Sequence, residues 1–101
     1  MFAVIRRYED VSSVDEAMRR IEAGWAPLIR HAPGFIAYYA FEIGGGAAAS
    51  ISLFEDRAQA EDSARQAASW VRDNLAGLSP NPAQVTAGEV RVQVMPEPVS
   101  A

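Results

Sequence analysis

Few side chains of this 101-residue protein are suited to acid–base chemistry, and they are scattered along the sequence. His31 is the only histidine, and an imidazole can serve as a general base because it titrates near neutral pH. A functional base also needs a partner that positions it, and the sequence near His31 offers no recognisable one. We therefore weigh a general base against a structural or exposed histidine, and we prefer the second interpretation.

Three aromatic residues are candidates for contact with a ligand. Tyr38 and Tyr39 are adjacent on a predicted strand, so their side chains point to opposite faces and at most one can enter an internal cavity. A phenol there could hydrogen-bond to a phenolic or keto group. Aromatic residues on strands more often belong to a core or an interface, and that remains the alternative for both tyrosines. Trp70, at the edge of a helical apolar stripe, could line a pocket or only cap the core.

Two arginines, Arg6 and Arg91, lie on the first and last predicted strands in chain order. Either could neutralise an anionic ligand. Either could instead pair with Glu89 or Glu42 on a neighbouring strand, and we expect this ion pairing to be their role.

Composition excludes several classes of function. The chain has no cysteine and one histidine, so neither a cysteine nucleophile nor an ordinary metal site is expected. The net charge of −4 and the pI of about 4.8 argue against a nucleic-acid partner. No apolar run approaches the roughly 20 residues of a membrane span, and the N-terminus lacks the pattern of a signal peptide. We therefore expect a cytoplasmic protein without membrane partners or cofactors. No specific catalytic motif is present, so no catalytic residue is assigned.

The element that organises the chain is a predicted β-hairpin. Residues 35–43 and 47–54 are strand-like runs, and Gly44-Gly45-Gly46 forms the turn between them. On the first strand, Phe35, Ala37, Tyr39, Phe41 and Ile43 are expected to share one face. The glycines are not a phosphate-binding loop, since they neither open a helix nor precede Lys-Ser/Thr.

One helix and one strand are predicted on each side of this hairpin. Residues 2–8 and 84–94 have strand character. A first amphipathic helix follows Ser12-Ser13, with a kink or break expected near residues 24–26 because of Gly24 and Pro27. Its buried stripe is predicted to comprise Val14, Met18, Ile21, Trp25, Leu28, Ile29 and Ala32. A second helix begins at Glu55-Asp56, and its buried stripe is predicted to comprise Ala60, Ala64, Ala67, Ala68, Val71 and Leu75.

Both alternating sets of the first hairpin strand are apolar, although a sheet with one solvated face should carry polar residues at alternate positions. Helices can cover only one face, and no third layer remains in the sequence. A second copy of the chain could cover the other face, so we expect a homodimer formed through the open sheet face.

The strand–helix–strand, strand–helix–strand order predicts an α+β protein with a ferredoxin-like βαββαβ fold. Its four-stranded antiparallel sheet is expected to carry two helices on one face. We predict a single domain over residues 1–95 and a flexible tail over residues 96–101.

The residue pattern resembles that of the antibiotic biosynthesis monooxygenase-like proteins of the dimeric α+β barrel superfamily. The resemblance rests on Pro33-Gly34-Phe35 after the first helix, the aromatic residues that follow, and a strand ending in Phe54-Glu55-Asp56 before the second helix. It covers residues 2–94 and implies a homodimer in which two sheets close into a barrel.

The resemblance implies a cofactor-independent oxygenase that acts on a small aromatic substrate in the barrel cavity. Haem-degrading relatives use an asparagine, a tryptophan and a histidine. Trp70 occupies the region of that tryptophan, but His31 is on the wrong helix and Ser63 appears where many relatives carry histidine, so haem cleavage is disfavoured. The alternative is a non-catalytic homodimer that binds a small ligand or has a stress-related role.

Overall fold

The computed structural model describes residues 1–98. The four strands are β1 (Phe2–Tyr8), β2 (Phe35–Gly44), β3 (Ala47–Phe54) and β4 (Gln84–Glu89). The helices are α1 (Val14–Arg20), α2 (Ala26–Arg30), which follows α1 through a π-helical turn (Ile21–Trp25), and α3 (Arg57–Asn74).

The strands form one antiparallel sheet in the order β2-β3-β1-β4, which confirms the predicted ferredoxin-like α+β fold. Helix α3 packs against β1 and β3, and the core lies between the helices and this inner face of the sheet. Its buried members are Phe2, Val4, Trp25, Ile29, Phe54, Ala60 and Ala67. The other face of the sheet, the open face, carries no helix in the described part of the chain.

The hairpin has its predicted extent, but the predicted face pattern of β2 is wrong at both ends. Register shifts between Phe35 and Ala37 and between Glu42 and Gly44 insert Ile36 and Ile43 as extra residues. The first bulge moves Phe35 to the inner face, where its ring makes an edge-to-face contact with Phe54 at 5.9 Å between centroids. A strict alternation across the strand therefore does not hold.

The first helical segment begins and breaks as the sequence predicts. Ser13 is the N-cap, and its Oγ accepts a hydrogen bond from the Glu16 backbone N–H at 3.2 Å. The π-helical turn comprises Ile21–Trp25. Pro27 follows it in the first turn of α2, where no intrahelical N–H is needed. One stripe residue is misplaced: Leu28 is 56% exposed, because the π-turn rotates α2 relative to α1.

The buried face of α3 is rotated relative to the prediction. Asp56 caps the helix by accepting a hydrogen bond from the Gln59 N–H at 2.8 Å. Ser63, which is not part of the predicted stripe, is buried, whereas Ala68, which is predicted to be buried, is exposed. The alanine-rich sequence marks this face poorly, since small residues pack closely on either side.

The last strand is shorter than predicted, ending at Glu89 rather than at Val94. Beyond it the Val90 N–H donates to the Met1 carbonyl, and residues 91–98 have no assigned secondary structure and are exposed. Of the predicted tail, residues 99–101 lie outside the described residues, and its flexibility stays a prediction. In the described part of the chain, no helix has the length and apolar character needed to cross a membrane.

Candidate functional site

A pocket lies between the inner face of the sheet and the helices, and we call it the helix–sheet pocket. The empty volume of this pocket, including its opening to solvent, is about 630 Å³. The enclosed part in which the centre of a water molecule fits measures about 40 Å³. That is room for roughly three waters, so a bound ring requires some side-chain movement. Flexible Met18 in the wall is suited to such movement. The aromatic and polar lining residues are Arg6, Tyr8, Trp25, Tyr38, Ser50, Ser52, Trp70 and Ser79.

Two tryptophans line the helix–sheet pocket. Trp25 from the π-helical turn and Trp70 from α3 have ring centroids 6.1 Å apart with a 43° tilt. A β-carbon at Gly24 would stand 2.8 Å from Trp70 Cζ2, closer than packed atoms approach. Gly24 thus allows the Trp70 ring to lie against the π-turn, and this explains a glycine inside a helical segment that would otherwise favour alanine.

Tyr38 enters the pocket from β2, opposite Ser52 in the sheet register. Burial raises the pKa of Tyr38 from 10.0 to about 12, while Ser50 and Arg6 oppose that rise and Tyr8 adds to it. The phenol is therefore protonated at neutral pH. It can donate a hydrogen bond to a ligand oxygen, but it is a poor general base.

Arg6 supplies a buried charge in the middle of the inner face. Its side chain comes from the central strand β1, and the residue is 8% exposed. Its Nε donates to the Tyr8 hydroxyl at 2.9 Å, and one terminal nitrogen donates to the Ala64 carbonyl at 3.4 Å. The expectation that Arg6 pairs with Glu89 or Glu42 is wrong: within residues 1–98 Arg6 has no carboxylate partner, and Glu89 pairs with the N-terminus at 3.4 Å.

Hydroxyl groups extend this polar end of the pocket. Ser50 faces Arg6 directly across the β1–β3 pair, and both residues are buried. Ser79, in the connector after α3, has a buried Oγ without a hydrogen-bond partner among the described residues. An unpartnered hydroxyl that shares a pocket with a cation can accept a hydrogen bond from a polar group of a ligand or donate one to it.

The structure brings together three of the six predicted site residues. Arg6, Tyr38 and Trp70 line the helix–sheet pocket. His31 is exposed at the end of α2, and Tyr39 is 61% exposed on the open face. Arg91 is exposed beyond the end of β4. A role for any of the six in binding stays a prediction.

Sequence reasoning missed Tyr8 and Ser79 as lining residues of the pocket. A signal for Tyr8 was present, because Arg6 and Tyr8 continue the strand face that begins with the apolar Phe2 and Val4. Polar residues on an otherwise buried strand face indicate a polar cavity. Ser79 carried no such signal, since it lies in a turn-rich connector that only the tertiary structure folds onto the pocket.

No group of three or more His, Asp or Glu side chains could hold a metal ion in the part of the chain that the structure describes. The pocket contributes one guanidinium, hydroxyl groups and indoles, which are not a usual ligand set for a metal.

Neither a protein-family profile nor a curated protein matches this sequence. Solved structures do match over nearly the full chain. A protein of unknown function from Nitrosomonas europaea has a TM-score of 0.77 at 22% identity, covering 96% of this chain and 95% of its own. The monooxygenase from the gene ActVA-Orf6 of Streptomyces coelicolor, in complex with nanaomycin D, has a TM-score of 0.73 at 17% identity, covering 95% and 92% of the two chains.

A third similar structure is SnoaB, a cofactor-independent oxygenase from Streptomyces nogalater. Its TM-score is 0.71 at 17% identity, covering 95% of this chain and 97% of its own. Identities this low establish a shared fold and nothing about activity. The fold predicted from the resemblance is thereby confirmed.

Proposed function

We propose that this protein binds a small aromatic compound in the helix–sheet pocket and oxygenates it with dioxygen, without a cofactor. The observation that carries the proposal is the pocket itself, in which two tryptophans and a protonated tyrosine surround an apolar space with one buried cation. Two of the similar folds belong to proteins described as a monooxygenase and a cofactor-independent oxygenase, which supports the same reaction class.

Oxygenation without a cofactor requires a substrate that supplies its own electrons. A phenol with an oxidisable ring C–H meets this condition: the ring carbon takes one oxygen atom as a carbonyl, and the phenol becomes a quinone. The other oxygen atom leaves as water with the two hydrogens removed from the substrate, so all four electrons come from the ring. In this scheme Trp25 and Trp70 hold the ring, and Tyr38 donates a hydrogen bond to its oxygen.

The alternative is a non-catalytic homodimer that binds a small ligand or has a stress-related role. The raised pKa of Tyr38 favours this non-catalytic alternative, because a protonated tyrosine cannot accept the substrate proton at neutral pH. The histidine that could do so lies on the surface at the end of α2.

We also propose that a second copy of the chain covers the open face. By the strand register, Ile5, Tyr39 and Phe41 share that face, and they are 40%, 61% and 43% exposed. Large apolar side chains concentrated on one sheet face mark an interaction surface. A barrel homodimer would bury them. A cytoplasmic location and the absence of nucleic-acid partners stay predictions from the sequence.

Ligand binding can be followed at the two indole N–H resonances, because Trp25 and Trp70 are the chain's only tryptophans. Titration with 1-naphthol should shift both resonances in the wild type and in Tyr39→Phe, the matched open-face control. Tyr38→Phe should bind more weakly. Oxygen consumption with formation of the naphthoquinone supports the oxygenase, and binding without turnover supports the alternative. Unshifted indole resonances would remove the basis of both.

A further inference from the structure

Arg6 combines burial with the absence of a carboxylate partner among residues 1–98. A guanidinium stays protonated in proteins and has five N–H donors. Two of those donors are used by protein acceptors, the Tyr8 hydroxyl and the Ala64 carbonyl. The remaining donors have no protein acceptor in the part of the chain that the structure describes. A buried charge is normally paired, because desolvation without a counter-charge is costly.

The ion pairs of the described residues show how Arg6 differs from the other arginines. The other arginines that form ion pairs do so at the surface, with side-chain exposures from 43% for Arg7 to 74% for Arg57. Arg6 alone is both buried and without a carboxylate among the residues described. Within residues 1–98 this cation therefore lacks a carboxylate counter-charge, and an external anion is a candidate for that place.

The position of Arg6 in the pocket makes such a partner accessible. An outer groove lies beside the connector after α3, lined by Arg72, Ala76, Asn81 and Ala83 among others. Arg6, Tyr8, Val71 and Ser79 line both this groove and the helix–sheet pocket. The cationic end of the pocket is thus the end that meets the groove. The tryptophan pair lines the same pocket and also borders a second groove, which Arg6 does not line.

From this arrangement we propose that the ligand of the helix–sheet pocket is an aromatic anion whose carboxylate or ionised phenol binds Arg6. The anionic group lies between Arg6 and the unpartnered Ser79 hydroxyl, and the aromatic ring extends towards Trp25 and Trp70. The protein as a whole carries a net charge of −4 and repels anions, so the preference comes from this local site. The inference rests on the proposed binding function and narrows its substrate class.

The test compares two ligands of one shape and different charge. Calorimetry with 2-naphthoate and with neutral 2-naphthamide should show the carboxylate binding about tenfold to a hundredfold more tightly, as expected for a hydrogen bond to a charged group. In Arg6→Gln this preference should disappear while 2-naphthamide affinity changes little. Arg7→Gln, which removes the neighbouring arginine from the other sheet face, should retain the full preference.

The outcomes separate the two proposals. Equal binding of the two compounds to the wild type would overturn the anionic preference and leave aromatic binding in place. Failure of both compounds to bind would overturn both proposals. The wild-type comparison does not depend on the folding of any variant, and Arg6→Met provides a second substitution, which keeps an unbranched apolar side chain and removes the charge. A preference that survives in a folded Arg6→Met would equally overturn the role of Arg6.

Discussion

The two faces of the sheet depart locally from the usual distribution of polar and apolar side chains. The inner face, covered by helices, places Arg6, Tyr38 and Ser50 in its central part, whereas the open face presents Ile5 and Phe41. In a sheet with one solvated face the covered side is apolar and the exposed side is polar. Polar groups buried under the helices indicate a ligand-binding site, and apolar groups exposed on the open face indicate a protein partner.

The largest expected effect comes from placing a charge on the open face. Phe41→Glu should dissociate the proposed homodimer, because a carboxylate buried without a partner costs about 3–5 kcal/mol. Sedimentation velocity should show a folded monomer. Glu42→Gln, one residue further along β2, removes a charge from an exposed position, so this variant should remain dimeric. A Phe41→Glu protein that sediments as a dimer would show that the open face is not the interface.

The inner face should lose stability at high pH. The pKa of Tyr38 is raised from 10.0 to about 12 in the folded protein, so the folded state keeps a proton that the unfolded state releases above pH 10. Its contribution is complete below pH 10 and is lost as pH rises towards 12. The free energy of unfolding should therefore fall by about 2–3 kcal/mol over this window.

Urea unfolding at pH 9, 10, 11 and 12 measures this loss. The decrease should be smaller in Tyr38→Phe and unchanged in Tyr39→Phe, whose side chain lies on the open face. If the two variants lose stability in parallel with pH, the asymmetry between the faces does not extend to their tyrosines.

A smaller change tests the aromatic wall of the pocket. Gly24→Ala places a methyl group 2.8 Å from Trp70 Cζ2, so the ring must move. Overpacking should cost about 1–3 kcal/mol, partly offset by about 1 kcal/mol of improved helix propensity. Gly77→Ala, which meets no atom within 4 Å, is the matched control. The Trp70 indole resonance should shift in Gly24→Ala alone, and an unshifted resonance would contradict the close approach.

The smallest effect distinguishes the adjacent tyrosines in binding. Tyr38→Phe removes one hydrogen-bond donor from the pocket and should weaken 1-naphthol binding about threefold to tenfold. Tyr39→Phe should bind as the wild type does. Equal affinities of the two variants, measured by calorimetry, would place the ligand outside the helix–sheet pocket.

Much of the fold could be predicted because its signals are local. Ser13 as a helix cap, the break before Pro27 and the glycine turn of the hairpin each depend on neighbours within a few residues. The errors occur where a local pattern is weak or is overridden. The bulge at Ile36 leaves no mark in an all-apolar strand, and the alanines of α3 do not distinguish its faces.

The candidate site could be predicted in part. Arg6, Tyr38 and Trp70 were identified as residue types suited to a ligand, but the sequence paired Arg6 with glutamates that lie elsewhere. Whether Tyr38 or Tyr39 faces the pocket depends on which side of the sheet the helices cover. Strand alternation separates the two tyrosines and does not choose between them.

By itself the sequence determined the order of helices and strands, the hairpin and the apolar character of both faces of β2, because periodicity and turn chemistry act over short distances. Tertiary structure alone decided that Arg6 is buried without a carboxylate partner among residues 1–98, that Ser79 lines the same pocket, and that Tyr38 lies inside while Tyr39 remains outside. These properties arise from contacts between residues distant in the chain, and register, bulges and helix rotation set such contacts only when the elements pack together.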